Sequence, residues 1–195
     1  MDISTMKTVT NRLSGLFLTI ILVVVNAVLI EVILDRFGVE GHRLFTGITG
    51  LFLMIISFGY SMRKRKKLIT FGNPKNWLTG HERLAIAGTF VIFVHTGTHF
   101  NALTPIVTFL FMFIAFVSGL VGRYVYNNAK AELNTKKAEL KKRGLSASEI
   151  DNELWYLTIA SDALSKWRKI HMPVISFLCV LIVYHAFSAL YYSGF

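Results

Sequence analysis

The sequence predicts an all-α bundle of five membrane-spanning helices, with a cytoplasmic N-terminus, an outer C-terminus and a cytoplasmic helical hairpin between the fourth and fifth helices. Three observations predict it. Hydrophobic residues make up 53% of the 195, only three are prolines, and the mean hydropathy of +0.53 exceeds what a soluble domain of this size shows. Five apolar runs approach the roughly 20 residues that a spanning helix needs. The basic residues, finally, concentrate in alternate connections.

The first helix is expected over about residues 13–34. Lys7 and Arg12 precede it as in a secretory signal, but the run is too long and lacks a small-residue cleavage site, so it reads as a retained helix. The second is expected over 44–62, followed by Arg63, Lys64, Arg65, Lys66 and Lys67. The third is expected over 81–101: Thr79 and Glu82 form a capping-box pattern that would place His81 in its first turn. The fourth covers 105–126 and the fifth 170–192, with Pro173 early in the latter, where a missing N–H costs least.

The loop over 127–165 is the only sizeable polar segment. Its stretch 129–142 reads as a charged helix broken at Gly144, and Ser146 with Glu149 forms a second capping-box pattern opening a helix to about Ser161. The two basic connections belong on the cytoplasmic side, which leaves the near-neutral segment 35–43 and the uncharged turn 101–105 outside. The net charge of +10 is then mostly loop charge that holds orientation and touches anionic lipid, and it does not argue for nucleic acid. The expected location is the cytoplasmic membrane of a bacterium or archaeon.

Chemistry enters with histidine. His81 to His95 and His171 to His185 span the same 14-residue interval. On an α-helix that interval rises about 21 Å and returns nearly to the same face. Histidines inside spans are costly and mark function. Under the topology above, the third and fifth helices run in the same direction, so His81 faces His171 near the cytoplasmic surface and His95 faces His185 near the outer surface. Two bis-imidazole iron sites then span most of the hydrocarbon layer. Zinc or non-haem iron would want ligands converging in one shell, often with carboxylates or thiolates, whereas haem is held by two axial histidines. The single cysteine, Cys179, offers no Cys-x-x-Cys-His attachment, so two b haems are expected. The second ring nitrogen of each ligand should donate to a carbonyl or polar side chain.

These paired helices resemble the dihaem core of b-type membrane cytochromes, which include the cytochrome b of quinol-oxidising complexes and the ferric-reductase-like transmembrane family. The resemblance covers roughly residues 79–192 and is architectural. It implies an electron-transfer subunit of a multi-subunit, quinone-linked oxidoreductase, working with iron–sulphur, flavin or c-type cytochrome partners. No quinol-site motif, flavin domain, Gly-rich phosphate loop or iron–sulphur cysteine set accompanies it, so a self-contained reductase is not expected.

Secondary expectations surround the four ligands. Gly88, Gly47, Gly50, Ser118, Gly119 and Gly122 make room for a macrocycle edge or serve ordinary helix packing. Arg83, Arg123 and Arg168 sit where they would pair with haem propionates or simply fix orientation. His99 shares the phase of His81 and competes with His95 for the outer iron. Glu31, His42 and His99, with Asp35, would gather outside as a protonatable quinone site, although Asp35 and His42 equally suit an interface facing water. Two other readings compete: a haem-bearing anchor of the succinate dehydrogenase or fumarate reductase kind, in which His42 would be a ligand, and a non-redox membrane scaffold.

Overall fold

The computed structural model describes residues 3–65, 69–98, 100 and 102–192, with all their side chains except those of 3–9, 126–129, 156, 157, 160, 161, 163–165, 167 and 168. The chain is all-helical, and no strand occurs among the described residues. In order it forms α1 (Ile3–Arg36), α2 (His42–Ser57), α3 (Gly59–Lys64), α4 (Pro74–Thr96), α5 (Leu103–Val121), a π-helical turn (Gly122–Tyr126), α6 (Asn127–Lys142), α7 (Ala147–Glu153) and α8 (Trp155–Tyr192). Four stretches are long and apolar enough to cross a membrane: Thr10–Arg36, His42–Lys64, Leu103–Lys142 and Lys169–Tyr192. They leave large apolar side chains such as Leu18, Phe52, Val180 and Phe187 exposed, as a lipid-facing surface requires.

The third expected span, 81–101, differs from the helix that forms. Asn73 caps α4 by accepting from the Lys75 amide, and Pro74 occupies the first helical position. That combination starts the helix well ahead of the Thr79 pattern. Thr79 is interior and donates back to the Lys75 carbonyl. The far end closes at Thr96, because Gly97 turns to φ +51°. Lys75, His81, Glu82 and Arg83 occupy the first half of α4 and leave its apolar run at residues 84–94, so α4 is not among the four stretches.

Two further boundaries move. The fourth helix does not stop at 126: it continues through the π turn into α6, where an extra residue per turn is absorbed without a break. The fifth begins at Trp155, not 170, so Pro173 lies inside α8 and removes one backbone bond from its interior. The hairpin signals hold. Gly144 turns at φ +85°, and Ser146 with Glu149 forms a complete capping box ahead of α7. Leu133, Leu140, Ile150 and Leu154 join as its apolar core.

The chain divides into two compact units, Met1–Leu18 with Val117–Phe177 and Thr19–Phe116 with Leu178–Phe195. In the first, Arg12 pairs with Glu132 at 3.3 Å, and Gly15 lets α1 pass the Tyr124 ring, which a Cβ would meet at 3.2 Å. In the second, α2 lies tightly along α4. A Cβ at Gly50 would meet Ile92 Cγ1 at 2.5 Å, and one at Gly88 would meet Leu53 and Met54 at 3.3 Å, so these two glycines set the approach of the helices. Phe93 is buried and contacts the rings of Phe109 and Phe116.

Candidate functional site

His95 lies in the last turn of α4, where α2 supplies its surroundings. Its Nδ1–H donates to the Arg43 carbonyl at 2.8 Å. A neutral imidazole that donates from Nδ1 keeps the lone pair on Nε2, the nitrogen then available to a metal. The ring fits because residue 47 is glycine: a Cβ there would lie 2.8 Å from Nδ1 and 2.9 Å from Cε1. Gly47 therefore makes room for the imidazole itself, while Gly50 and Gly88 serve helix packing.

His185 approaches from α8 within the same unit. The His95 and His185 ring centres are 6.2 Å apart with planes at 73°. Two imidazoles on opposite sides of one metal at ~2.0 Å per nitrogen place their centres about 6.4 Å apart, once about 1.2 Å from nitrogen to ring centre is added on each side. The observed spacing matches that arrangement.

His81 repeats the pattern one interval earlier on α4. Its Nδ1 donates to the Ser57 carbonyl at 3.0 Å and lies 2.9 Å from the Ser57 hydroxyl, while Tyr60 stacks on the ring at 5.5 Å. Nε2 is again left as the lone-pair nitrogen. His171 belongs to the other unit, where its Nδ1 is hydrogen bonded to the Ser118 hydroxyl. Ser118 thus has a partner and not merely a small side chain. A Cβ at Gly119 or Gly122 would meet nothing within 4 Å.

The carboxylate-rich end of α1 forms a network whose centre the sequence did not single out. Arg43 makes a two-pronged ion pair with Asp35, at 3.0 and 2.7 Å, and reaches Glu31 at 3.5 Å. Glu31 is only 1% exposed and rests against Gly97 where α4 ends. His42 donates from Nδ1 to the Val39 carbonyl at 2.7 Å and has Nε2 3.4 Å from Asp35. Nδ1 is thus engaged locally, while Nε2 is buried without a hydrogen-bond partner among the described residues. Arg43 joins this network to His95, with its side chain on the carboxylates and its carbonyl on the imidazole.

The remaining expected residues fall elsewhere. His99 lies outside the described residues, beyond the end of α4 at Thr96. Arg83 is exposed on α4, and Arg123 lies over the Tyr124 ring at 5.7 Å. The Arg168 side chain lies outside the described residues. Among the described residues no three His, Cys, Asp or Glu side chains gather into one metal site. Arg43 and Ser57 were missed because they act through main-chain carbonyls, which every residue carries. No family model matches the chain, and neither does any curated protein or solved structure.

Proposed function

We propose that the chain is a membrane cytochrome b that carries two b haems and relays electrons across the bilayer between a quinone pool and partner redox subunits. The observation that carries this reading is the facing His95 and His185 pair, at the separation of two imidazoles on one iron, with His95 Nδ1 tied to a carbonyl. The donor set suits haem: two imidazoles, with no carboxylate or thiolate completing a smaller shell among the described residues. His81 and His171 make the second pair in this proposal, each with Nδ1 engaged so that Nε2 is the ligating atom. A haem held by each pair supplies a one-electron carrier, and the protein's own part is to fix ring orientation and exclude water.

In this reading α4 is a fifth span whose polar first turns stay at the cytoplasmic headgroups, the N-terminus is cytoplasmic and the C-terminus outside. Arg83 and Arg168 would pair with the propionates of the inner haem. Glu31, His42 and His99 belong to a quinone and proton site at the outer end, with the Glu31, Arg43 and Asp35 network as its charged floor. The partners are membrane lipid, quinone, and iron–sulphur, flavin or c-type cytochrome subunits, in the cytoplasmic membrane of a bacterium or archaeon.

The purified protein is expected to show a b-type band in its reduced-minus-oxidised spectrum and two haems per chain. Replacing His95 or His185 with alanine is expected to leave one. A colourless wild-type protein, or one that keeps two haems after either change, overturns the reading.

A further inference from the structure

Asn26 places a carboxamide inside the first apolar stretch, Thr10–Arg36. It stands ten residues from Arg36 and fourteen from Arg12, which along an α-helix is about 15 Å from one charge and about 21 Å from the other. That puts it deep within a hydrocarbon layer of roughly 30 Å. The side chain is exposed and donates one N–H to the Leu22 carbonyl of its own helix at 2.8 Å. The second N–H and the carboxamide oxygen have no partner among the described residues. Serines on the apolar stretches behave differently: Ser14, Ser176 and Ser188 each donate their single hydroxyl proton to a carbonyl one turn back, that of Thr10, Met172 or Tyr184. A carboxamide carries two donors and an acceptor, so one bond to its own helix leaves it incomplete. Lipid tails supply neither donor nor acceptor, and the remainder of Asn26 calls for another protein group.

The face that carries Asn26 is not the one α1 packs against its own chain. Val23, Ala27 and Glu31 form the buried row, whereas Leu22, Leu29 and Ile33, which align with Asn26, are exposed by 52%, 57% and 45%. At 100° per residue the two rows are centred about 130° apart. Leu22, Asn26, Leu29 and Ile33 follow one another at steps of four, three and four. That is a heptad seam with the leucines at the d positions and Asn26 and Ile33 at the a positions. A single asparagine at an a position fixes register and number in parallel helix pairs, because it accepts only a polar group opposite.

A second copy of the chain meets these conditions. Copies of one chain share one orientation in the membrane, so a two-fold axis along the membrane normal sets α1 parallel to its counterpart, with both Asn26 side chains at one depth. Each carboxamide then supplies the donor and the acceptor that the other lacks, and the apolar seam residues close around the pair. A helix of different sequence would need a matching polar group at that depth, whereas the second copy has it by identity. We propose that the chain forms a parallel homodimer through the Leu22, Asn26, Leu29 and Ile33 face of α1, with the two Asn26 carboxamides hydrogen bonded to each other across the axis. This interface involves none of the histidines and does not draw on the electron-transfer reading.

Leu29→Cys in a Cys179→Ser background, oxidised with copper phenanthroline in the membranes of the expressing cells, is expected to give a disulfide-linked homodimer. Val28→Cys is the control: its side chain is also exposed and at nearly the same depth, but it points about 130° away from the seam, and it is expected to stay monomeric. For the full-length chain in detergent, sedimentation equilibrium is expected to show the dimer dissociation constant rising about tenfold on Asn26→Leu. Asn26→Gln, which keeps the carboxamide, is expected to restore most of the association. Asn26→Leu puts an apolar side chain at an exposed position, so the fold is retained. Val28→Cys cross-linking as readily as Leu29→Cys, a dissociation constant unchanged by Asn26→Leu, or a Leu29→Cys product whose mass contains a different protein overturns the proposal. The haem spectrum reports on the proposed function independently. A colourless protein that dimerises through Asn26 keeps this interface and sinks the haem reading, whereas a two-haem monomer does the reverse.

Discussion

The two histidine-bearing helices are held in opposite ways. α4 is the more polar of the two, yet each of its histidines is tied to a main-chain carbonyl of its neighbour, His81 to Ser57 and His95 to Arg43, and glycines bring that neighbour close. α8 is long and apolar, with 6% of its spanning window buried, and its described contacts include Ser118 on His171 and the His95 ring against His185. One helix is positioned by directional bonds and the other by a non-directional preference for lipid. The imidazole orientation is thus prearranged on α4, while in the proposed cytochrome α8 would gain much of its constraint from the haems.

Gly47→Leu attacks the stronger side and has the largest expected effect. Its Cβ falls 2.8 Å from His95 Nδ1 and 2.9 Å from Cε1, so the ring leaves the Arg43 carbonyl or the helices part. Overpacking of this kind costs about 1–3 kcal/mol. Haem content is expected to fall from two to one per chain, as it does on removing His95. Gly80→Ala is the control, because a Cβ there meets nothing within 4 Å. Both haems surviving Gly47→Leu would mean that α4 does not hold its ligand as tightly as the comparison says.

Ser118→Ala tests the weaker side. It removes the hydroxyl that His171 Nδ1 contacts while leaving the apolar surface of α8 unchanged. Loss of such an outer partner weakens metal binding by about 10–100-fold. The expected effect is at the lower end of that range: about tenfold faster loss of one haem to apomyoglobin, with the His95 site unaffected. Equal loss at both sites would show that α8 responds as one rigid body, against the contrast drawn here.

What was legible in the sequence follows the same division. Hydropathy exposed α1, α2, α5 and α8, whose surfaces are apolar over whole spans. The 14-residue intervals survive because α4 and α8 each run unbroken between their histidines. The Gly144 turn and the Ser146 box were readable because local side chains make them. The start of α4 was not: Asn73 and Pro74 outcompete a Thr79 pattern that looks equally good on paper. Arg43 and Ser57 were invisible as carbonyl acceptors, and Gly47 was read as room for a macrocycle edge or as ordinary helix packing, while the His95 imidazole lies against it. Such roles depend on which helix lies alongside, a fact of tertiary packing that no local pattern encodes.

The smallest expected effect comes from the same kind of clasp moved into water. At Ser146 the backbone N–H and the hydroxyl both donate to Glu149 Oε2, at 2.8 and 2.6 Å, and these bonds, the hydroxyl first, hold the Glu149 carboxyl below its ordinary pKa of 4.5. A carboxylate whose pKa is lowered by folding adds stability that is fully present above the unfolded value and is lost as the pH falls through the lowered one. Full exposure screens the contribution, in contrast to the clasps on His81 and His95. Amide exchange at residues 146–150 in the whole detergent-solubilised chain is therefore expected to accelerate slightly as the pH drops below the usual carboxylate range, once the intrinsic rate is divided out. Glu149→Gln, which still accepts from Ser146 but does not titrate, is expected to flatten that dependence. If the variant keeps the wild-type slope, another carboxylate governs the hairpin, and a polar clasp matters in this protein only where lipid or neighbouring helices exclude water.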